Sequence, residues 1–391
     1  MVAYTSYPMD LRVQREAETL ISLKEYEVLF LVPKEKDLPR NYVMNGVNII
    51  EFNMKQYQGK GNLRYIISYV HFMILSFITC TKLFFTRNID VFHFHNMPDF
   101  LVFAAIIPRL LGKKVILDIH DTMPETYAAK FDKKSRILFK LFCIEEAVCC
   151  KFAHKIICVN HIQRNTLVER GIPDQKIAIS MNVPDHKKFN YITHTKTGVK
   201  NKTNFKLVYH GTVAKRLGID FTIRAVSKLV DKIPGLEFYI FGGGGEEDIL
   251  ELIELSKRLE VNQYVHFNKF VPMESLLPIL GEMHLGVVSY RDNMATALAL
   301  PVKMLEYVFL NIPVVAPRLK TIQYYFTEEM VSYFEPENVN SLASVILELY
   351  NNELKREKQA QAASRFIEKY GWEKHQASLI NLYKELAHAN E

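Results

Sequence analysis

The chain has 391 residues, more than a single hydrophobic core usually supports, so its length predicts two domains. Hydrophobic residues make up 49% of it and charged residues 24%, which is typical of an ordinary globular protein. The net charge of +6 suits anionic ligands or an anionic membrane surface, but it is too small to indicate a protein that binds nucleic acid.

The cysteines argue against disulfides and against zinc. There are five, an odd number, and none belongs to a C-x-x-C pair. This pattern indicates reduced thiols in a cytoplasmic protein. The charged residues Asp10, Arg12 and Arg15 come before any apolar core could form, so no signal peptide is expected at the start of the chain.

Strand-like and helical patterns alternate along the chain. Ten strands are predicted, at Val28–Val32, Val47–Ile50, Val91–Phe94, Lys114–Asp118, Ile156–Val159, Lys206–His210, Glu237–Phe241, Val265–Asn268, Leu285–Ser289 and Pro313–Ala316. Helical patterns separate most of them, as parallel sheets require. Met1–Thr5 is expected to form an unusually short first strand before a helix at Asp10–Leu20; either this strand is truncated or the true start lies upstream.

The stretch Tyr65–Phe85 is mostly apolar and long enough to suggest a transmembrane helix. It also carries polar residues, among them Ser68, His71 and Lys82, and it leads directly into the strand predicted at Val91–Phe94. A helix that is buried, or that touches a membrane, fits this pattern better than a helix that spans one.

The segment Pro184–Asn204 interrupts the alternation because it is polar and has no periodicity, which is typical of an interdomain linker. We therefore predict an N-terminal domain at residues 1–190, a linker at 191–204, a C-terminal domain at 205–370 and a C-terminal helix at 371–391. Both domains are expected to be α/β, Rossmann-like, doubly wound parallel sheets. Such folds bind ligands at the carboxyl ends of their strands, here expected in the cleft between the domains.

The segment Ala297–Pro317 carries a proline, a lysine and a glutamate at helical spacing. Pro301 suits the first turn of a helix, whose free amides attract an anion. Lys303 adds a positive charge there, which suits a diphosphate. Glu306 shares a face with Lys303, and its carboxylate can accept hydrogen bonds from two vicinal hydroxyls, as on a ribose. The alternative is a surface Lys–Glu pair on a capped helix.

This segment resembles the donor-site helix of glycosyltransferase family 4, whose members have the two-domain GT-B architecture and use sugar nucleotides. Leu207–Asp220 (LVYHGTVAKRLGID) resembles the family's strand, glycine turn and basic residue at the donor phosphates, and Leu236–Glu246 resembles its next strand and turn. Val265–Leu276 resembles the segment whose backbone cradles the nucleobase. Trp372 and the helix after it resemble the segment that crosses back to the first domain. The likeness extends over nearly the whole chain, in order.

The resemblance implies roles for three sets of residues. The catalytic set is His120, Arg216, Lys303 and Glu306. The donor-binding set is Gly211, Thr212, Phe270, Val271, Leu300 and Pro301. The acceptor-side set is Asp10, Arg12, His95, Asn96, Asp121 and Glu125. In the family, the histidine that maps onto His120 contacts the donor sugar, and Lys215 is the substitute if Arg216 is not the basic residue of the phosphate turn.

One departure from the family concerns the transferred sugar. The usual pair of glutamates eight positions apart is reduced to Glu306, because Leu298 occupies the first position. A leucine cannot accept a hydrogen bond from a sugar hydroxyl, so the sugar is not specified by this motif. Some branches of the family have a Leu-Pro-x-Lys version instead, and Leu300–Lys303 resembles it.

Two further motifs have competing interpretations. The run Gly242–Gly245 would need a third glycine at position 247 for a dinucleotide fingerprint, and Glu247 stands there, so a tight turn from strand to helix is expected. The second is a set of candidate metal ligands: His93, His95, His120, Asp118 and Asp121. The same side chains also cluster where strand ends cap helices, with Asp121 as the cap, and the resemblance implies a metal-independent enzyme.

The implied reaction is the transfer of a hexosyl or N-acetylhexosaminyl group from a UDP- or GDP-linked sugar, with retention of configuration and no other cofactor. The implied acceptor is a glycan or a lipid-linked acceptor, in a bacterial branch that builds cell-surface polysaccharides. The alternatives are a sugar-nucleotide epimerase or hydrolase of the same architecture, a metal-dependent hydrolase, and a non-catalytic protein that binds the donor.

A basic series beside apolar residues adds to the membrane hypothesis. Its members are Lys130, Lys133, Lys134, Arg136 and Lys140, interleaved with Ile137, Leu138, Phe139 and Leu141. Together with Tyr65–Phe85, this patch suggests a protein held peripherally on the inner face of the cell membrane. An ordinary solvated helix face is the alternative.

Overall fold

In the computed structural model, the described residues are 1–35, 38–57, 59, 62–130, 135–185 and 204–388. They form two compact units. The first consists of Met1–Asn182 and the chain from Glu373 onwards, and the second consists of Val183–Trp372. The boundary between the first and second units therefore lies after Asn182 rather than at residue 190. Most of the expected linker, 191–204, falls outside the described residues.

The first unit is built on one eight-stranded sheet. Its strands are β1 (Val2–Ala3), β2 (Leu29–Pro33), β3 (Asn41–Met44), β4 (Val47–Phe52), β5 (Val91–His95), β6 (Lys114–Ile119), β7 (Lys155–Cys158) and β8 (Ile177–Ile179). Their order in the sheet is β3-β4-β2-β1-β5-β6-β7-β8. The edge pair β3–β4 is antiparallel, and the other neighbours are parallel.

The helices before the second unit are α1 (Leu11–Ser22), α2 (Asn62–Thr86), α3 (Ile106–Leu110), α4 (Met123–Lys130), α5 (Arg136–Phe152) and α6 (His161–Glu169). A 3₁₀ segment, Asp99–Ala105, precedes α3. The chain crosses the sheet in one direction from β4 to β5, from β5 to β6 and from β6 to β7, so right-handed connections place α2, the 3₁₀ segment and α5 on one face. Their buried side chains share one core.

The second unit has a six-stranded, fully parallel sheet. Its strands are β9 (Phe205–His210), β10 (Leu236–Phe241), β11 (Val265–Asn268), β12 (Leu285–Val287), β13 (Val314–Pro317) and β14 (Ser332–Phe334), in the order β11-β10-β9-β12-β13-β14. Its helices are α7 (Ile219–Ser227), α8 (Glu246–Arg258), α9 (Met273–Gly281), α10 (Met294–Leu298), α11 (Val302–Phe309), α12 (Lys320–Tyr325), α13 (Val339–Asn351), α14 (Glu353–Ala363) and α15 (Arg365–Tyr370).

The last helix, α16 (Trp372–His388), packs in the first unit. Leu379, Leu382 and Leu386 are buried in the core that also holds α1, on the opposite face of the sheet from α2. The hydroxyl of Tyr383 lies 2.8 Å from Nδ1 of His93 on β5. The C-terminal segment is thus part of the first unit although it follows the second in sequence.

All ten expected strands are present, with ends that differ by one or two residues, and the short first strand is Val2–Ala3. The sequence did not predict β3, β8 or β14. The helix expected at Tyr65–Phe85 is present as α2, and of its two expected forms, buried or touching a membrane, the structure contradicts the buried one. In α2, a 24-residue stretch, Leu63–Thr86, is long and apolar enough to cross a membrane, yet only 17% of its most apolar window is buried.

Candidate active site

Helix α11 carries the predicted lysine and glutamate. Pro301 is the residue just before the helix rather than in its first turn, because its ψ of 119° is extended. Its carbonyl accepts the amide of Met304 at 3.0 Å, so the helix begins directly after it. The first amides of a helix have no acceptor within it, and Pro301 offers no side-chain cap, so these amides are available to an anion.

Lys303 is buried beside two aromatic rings. Its exposed fraction is 7%, and its Nζ donates a hydrogen bond of 2.8 Å to the hydroxyl of Tyr209. The same Nζ lies 4.0 Å from the ring centre of Tyr209 and 5.3 Å from that of Tyr290. Burial lowers the pKa of Lys303 to about 7, although the charge of Glu306 opposes the shift. Near neutral pH, the lysine is therefore ready to take up a proton when an anion arrives.

Glu306 lies one turn further along α11, also with an exposed fraction of 7%. Its Oε2 contacts Nε2 of His210, the last residue of β9. The other ring nitrogen of His210, Nδ1, is 3.0 Å from the hydroxyl of Tyr307. That hydroxyl also accepts the backbone N–H of His210 at 3.2 Å. The contacts of the two ring nitrogens with Tyr307 and Glu306 fix the orientation of the histidine ring.

Glycine allows the loops after β9 and β10 to approach each other closely. Val213 donates its amide to the carbonyl of Gly243 at 2.8 Å. A Cβ on Gly242 would lie 1.8 Å from the carbonyl oxygen of Gly211, and one on Gly244 would lie 1.9 Å from that of Val213. Gly211 itself has a φ of +103°. The run Gly242–Gly245 is therefore a tight turn from β10 to α8, as predicted, and it supports the loop next to Lys303.

The phosphate-turn residues occupy different positions. Thr212 is exposed, and its carbonyl accepts the Tyr209 hydroxyl at 2.6 Å. Arg216 is exposed and near enough to Lys303 for its charge to lower the lysine's pKa further. Lys215 instead lines a separate cavity of about 320 Å³ with Asp220. This arrangement favours Arg216 over Lys215 as the basic residue of the turn.

The remaining donor-side residues lie on loops. Phe270 is exposed and Val271 half-buried, and both follow β11, which is two strands from β9. Leu300 is half-buried in the short link between α10 and Pro301. Leu298, which replaces the family's first glutamate, is the last residue of α10.

In the first unit, three of the predicted residues converge on one buried carboxylate, Asp118. Arg12 donates to its two oxygens at 2.7 and 2.9 Å and to the carbonyl of Ser180 at 2.8 Å. His95 Nδ1 and His120 Nε2 lie 3.1 and 3.2 Å from Oδ2. Burial alone would raise the pKa of Asp118, but the charge of Arg12 and the bonds from the histidines hold it well below its usual value.

The Asp118 cluster orients His120. Burial disfavours the charged imidazolium, but the neighbouring Asp118 outweighs that cost and raises the pKa of His120. The backbone N–H of His120 donates to Oδ1 of Asn96 at 2.8 Å. With Nε2 turned to Asp118 and a side chain still 22% exposed, His120 has Nδ1 as its remaining polar atom for a ligand.

The other acceptor-side predictions have structural partners. Asp10 caps α1 by accepting the amides of Arg12 and Val13. Asn96 donates to the carbonyl of Asp121 at 2.7 Å. Glu125 is buried and forms an ion pair with Arg170. Asp121 is exposed, and it belongs to the same loop as His120.

A metal site at the Asp118 cluster is disfavoured by the charges present. Among the described residues, the candidate group that the structure brings together is Glu16, His93, His95 and Asp118, whose ligand atoms lie within 4.8 Å of one another. It includes Glu16, which the sequence did not suggest, and leaves out His120 and Asp121. Arg12 already pairs with both oxygens of Asp118, and breaking a buried ion pair is strongly destabilising.

Two family models match the chain one after the other. The model "Glycosyltransferase Family 4" matches residues 12–185, and the model "Glycosyl transferases group 1" matches residues 204–352. The chain belongs to glycosyltransferase family 4. Among curated proteins, no sequence matches it significantly.

Solved structures show that this family 4 chain has the GT-B fold. Sucrose-phosphate synthase from Thermosynechococcus elongatus is 14% identical, with a TM-score of 0.79 and 99% of both chains covered. The HepE protein of Anabaena, in complex with UDP and glucose, is 12% identical, with a TM-score of 0.73 and 98% of both chains covered. The trehalose-phosphate synthase of Burkholderia xenovorans, described as UDP-forming, is 11% identical, with a TM-score of 0.72, 98% of this chain and 99% of that chain covered.

Two residues of the candidate site were missed from the sequence. Tyr209 and His210 stand inside the strand motif that resembles family 4, but only Gly211, Thr212 and Arg216 were selected from it. The sequence did contain a signal for them. A histidine and a tyrosine at the carboxyl end of a parallel strand lie where such folds bind ligands.

Proposed function

We propose that the chain transfers a sugar from a nucleotide-sugar donor to an acceptor hydroxyl, with retention of anomeric configuration. The observation that carries this proposal is the pair of buried side chains, Lys303 and Glu306, next to the glycine loop at the end of β9. One structurally similar protein, HepE, is in complex with UDP, and another, the trehalose-phosphate synthase, is described as UDP-forming. These likenesses favour a uridine nucleotide over a guanosine nucleotide as the donor.

The chemistry requires stabilisation of the leaving diphosphate. The bond from the anomeric carbon to the phosphate oxygen breaks, and the bond to the acceptor oxygen forms on the same face of the sugar. The acceptor's proton passes to the leaving phosphate. Lys303, Arg216 and the first amides of α11 stabilise the negative charge that develops there. We propose that these groups make a metal ion unnecessary, so that chelation leaves the turnover of the enzyme unchanged.

Substitutions in α11 test this function. We expect UDP to raise the melting temperature of the wild-type protein by mass action, with sugar nucleotides acting likewise. Lys303→Ala and Glu306→Ala should fold, lose most of that shift and lose sugar transfer. Unchanged turnover in both variants would reject the site.

Incubation with donor alone separates transfer from its alternatives. A transferase consumes the donor slowly unless an acceptor is added, whereas an epimerase or hydrolase converts it at full rate. Rapid formation of an epimer or of free sugar without acceptor would replace the proposed reaction with one of these.

We also propose that the acceptor is lipid-linked and that the first unit docks on an anionic membrane, on its cytoplasmic side, in cell-surface polysaccharide synthesis. The main feature in support is an apolar stripe on α2. Its exposed side chains are Leu63, Ile66, Ile67, Val70, Ile74, Ile78 and Phe85. Contiguous exposed apolar surface of this kind is rare on proteins that meet only water.

Neighbouring helices extend the apolar surface of α2. The 3₁₀ segment before α3 packs against both α2 and α5. The exposed apolar side chains there are Ile106, Leu110 and Leu111 around α3, and Ile137, Leu138, Leu141, Ile144 and Val148 on α5. Arg109 joins α3 to α5 through a hydrogen bond of 2.6 Å to the carbonyl of Phe152.

The charges around this surface suit an anionic lipid. Helices α2 and α3 contain no acidic residue, and the two in α5, Glu145 and Glu146, are half-buried and buried. Arg64, Lys82, Arg136 and Lys140 are exposed. Lys133 and Lys134 lie outside the described residues, as does the side chain of Lys130. Cationic side chains beside an apolar face are the combination that holds a helix in a lipid interface.

Vesicle sedimentation tests the docking surface. The wild-type protein should bind vesicles that contain phosphatidylglycerol, bind pure phosphatidylcholine vesicles weakly, and be released by high salt. The double variant Ile67→Asn/Ile74→Asn should lose binding. Leu354→Asn is the matched control, because Leu354 is 59% exposed but lies in the second unit. Indifference to lipid charge and to salt would contradict the proposal.

A further inference from the structure

Two consecutive residues at the end of β9 hold the two ligand-binding side chains of α11. Tyr209 receives a hydrogen bond from Lys303 through its hydroxyl, and His210 contacts the carboxylate of Glu306 through Nε2. The two residues of the first pair are 94 positions apart in sequence and those of the second pair 96, and both pairs connect the same strand to the same helix. The following inference rests on the function proposed for α11.

His210 is buried, but its contacts are polar rather than apolar. It is 4% exposed, and its ring nitrogens both face polar groups on α11, namely Glu306 and the hydroxyl of Tyr307. Buried polar atoms usually have a hydrogen-bond partner, but a neutral partner would suffice for a histidine with a purely structural role, whereas His210 faces a carboxylate. The cost of burying the charge of Glu306 is reduced by this contact, so the carboxylate keeps one orientation.

The orientation determines which oxygen of Glu306 faces a ligand. His210 contacts Oε2. Among the described contacts, Oε1 is therefore the oxygen open to a hydroxyl of the donor. Without His210, the carboxylate could rotate or pair with Lys303 on the same helix face, and its fit to two vicinal hydroxyls would be lost.

We propose that His210 is a positioning residue, which fixes the Glu306 carboxylate so that the site reads the ribose hydroxyls of a nucleoside diphosphate and rejects the deoxyribose form. In the same way, Tyr209 fixes the position of the Lys303 ammonium group next to the diphosphate. The Tyr209 hydroxyl accepts from Nζ of Lys303 and donates to the carbonyl of Thr212 at 2.6 Å, which ties the lysine to the phosphate loop.

Calorimetric titration with UDP and 2′-deoxy-UDP tests the role of His210. The wild-type protein should bind UDP about tenfold or more tightly than 2′-deoxy-UDP, the effect of one lost hydrogen bond to a charged group. In His210→Ala, this ratio should fall to about 1, because UDP loses more affinity than 2′-deoxy-UDP, which has only the 3′-hydroxyl left to contact Glu306. Glu306→Gln should reduce the ratio in the same way, and His210→Gln, which can still donate to the carboxylate, should restore part of it.

Two further variants separate the role of His210 from a general loss of packing. His284→Ala also removes a buried histidine from beside β9, but at the opposite end of the strand, where its Nδ1 accepts the amide of Lys206 at 3.1 Å. It should keep the full ratio. Tyr209→Phe should weaken both ligands equally, since it acts on the diphosphate end, and leave the ratio unchanged.

The outcomes distinguish the inference from the function on which it rests. If the wild-type protein binds neither UDP nor GDP, the donor site in α11 is wrong, and the inference falls with it. If the wild-type protein binds UDP but does not discriminate against the deoxy form, ribose reading is overturned. A full ratio in His210→Ala overturns the positioning role alone.

Discussion

A buried lysine such as Lys303 is costly to the folded protein and useful to a ligand site. Most lysines remain in water, where their charge is solvated. Burial and the charge of Arg216 outweigh the favourable charge of Glu306, and the pKa of Lys303 falls to about 7. An incoming diphosphate would supply the missing counter-charge. Lys303 therefore lowers the stability of the free protein and raises its affinity for a diphosphate, a combination that is common in active sites.

We predict that Lys303→Met stabilises the ligand-free protein most strongly below pH 7. The pKa of Lys303 is lowered from 10.5 to about 7 on folding, so the unfolded chain binds more protons between these values. The penalty of the charged lysine is complete below pH 7 and disappears as the pH rises towards 10.5. Melting curves at pH 6 and pH 9.5 should thus show a larger gain for Lys303→Met at pH 6; an equal gain at both would contradict this.

We further predict that UDP binding takes up a proton at Lys303. A bound diphosphate favours the charged amine, so affinity should decrease as the pH rises above 7. Calorimetry at pH 7.5 in buffers with different ionisation enthalpies measures the protons taken up. The wild-type protein should take up a fraction of a proton, and Lys303→Met, with its weaker binding, should lose that component.

At the level of residues, short-range patterns were visible in the sequence and long-range partners were not. Lys303 and Glu306 could be selected because helical spacing puts them on one face. His210, in contrast, meets Glu306 only through the packing of α11 on β9, 96 residues apart in sequence. For the same reason, the sequence grouped His95 and His120 with Asp118 as candidate metal ligands but gave no sign that Arg12 pairs with that carboxylate.

Among the elements, the three strands that sequence patterns missed are all at the edges of sheets. β3 and β8 are the two edges of the first sheet, and β14 is one edge of the second. Interior strands of parallel sheets are buried on both faces and appear as continuous apolar runs. An edge strand such as β3, with its alternately exposed residues, has a much weaker signature. The sequence left open whether α2 is buried or touches a membrane for a related reason, since composition alone does not say which apolar helix is covered.

The turn between β10 and α8 gives a prediction about an element. A Cβ on Gly244 would lie 1.9 Å from the backbone oxygen of Val213, whereas a Cβ on Gly243 would have no neighbour within 4 Å. Gly244→Ala should therefore displace the loop that follows β9, lower the melting temperature and weaken UDP binding. Gly243→Ala is the matched control and should leave both unchanged. Equal behaviour of the two variants would mean that close backbone approach does not shape this loop.

For the whole molecule, chain length and the alternation of elements were enough to predict two parallel-sheet units, and the resemblance to family 4 predicted the GT-B fold. Physical patterning alone could not predict that the last helix returns to the first unit. An amphipathic helix such as α16 requires an apolar surface, but nothing in its sequence specifies which unit provides it. The partners, Val13, Ala17 and Leu20 of α1, are at the other end of the chain.

The placement of α16 predicts that stability and nucleotide binding can be separated. Leu382→Ala removes a side chain that is buried in the core of the first unit, and such truncations cost about 2–5 kcal/mol. Thermal and urea denaturation should show this loss. UDP affinity, measured well below the unfolding transition, should remain that of the wild-type protein, because Lys303, Glu306 and His210 all lie in the second unit. Lys384→Ala, an exposed position on the same helix, should change neither quantity. A decrease in UDP affinity in Leu382→Ala at low temperature would show instead that α16 supports the nucleotide site as well as the first unit.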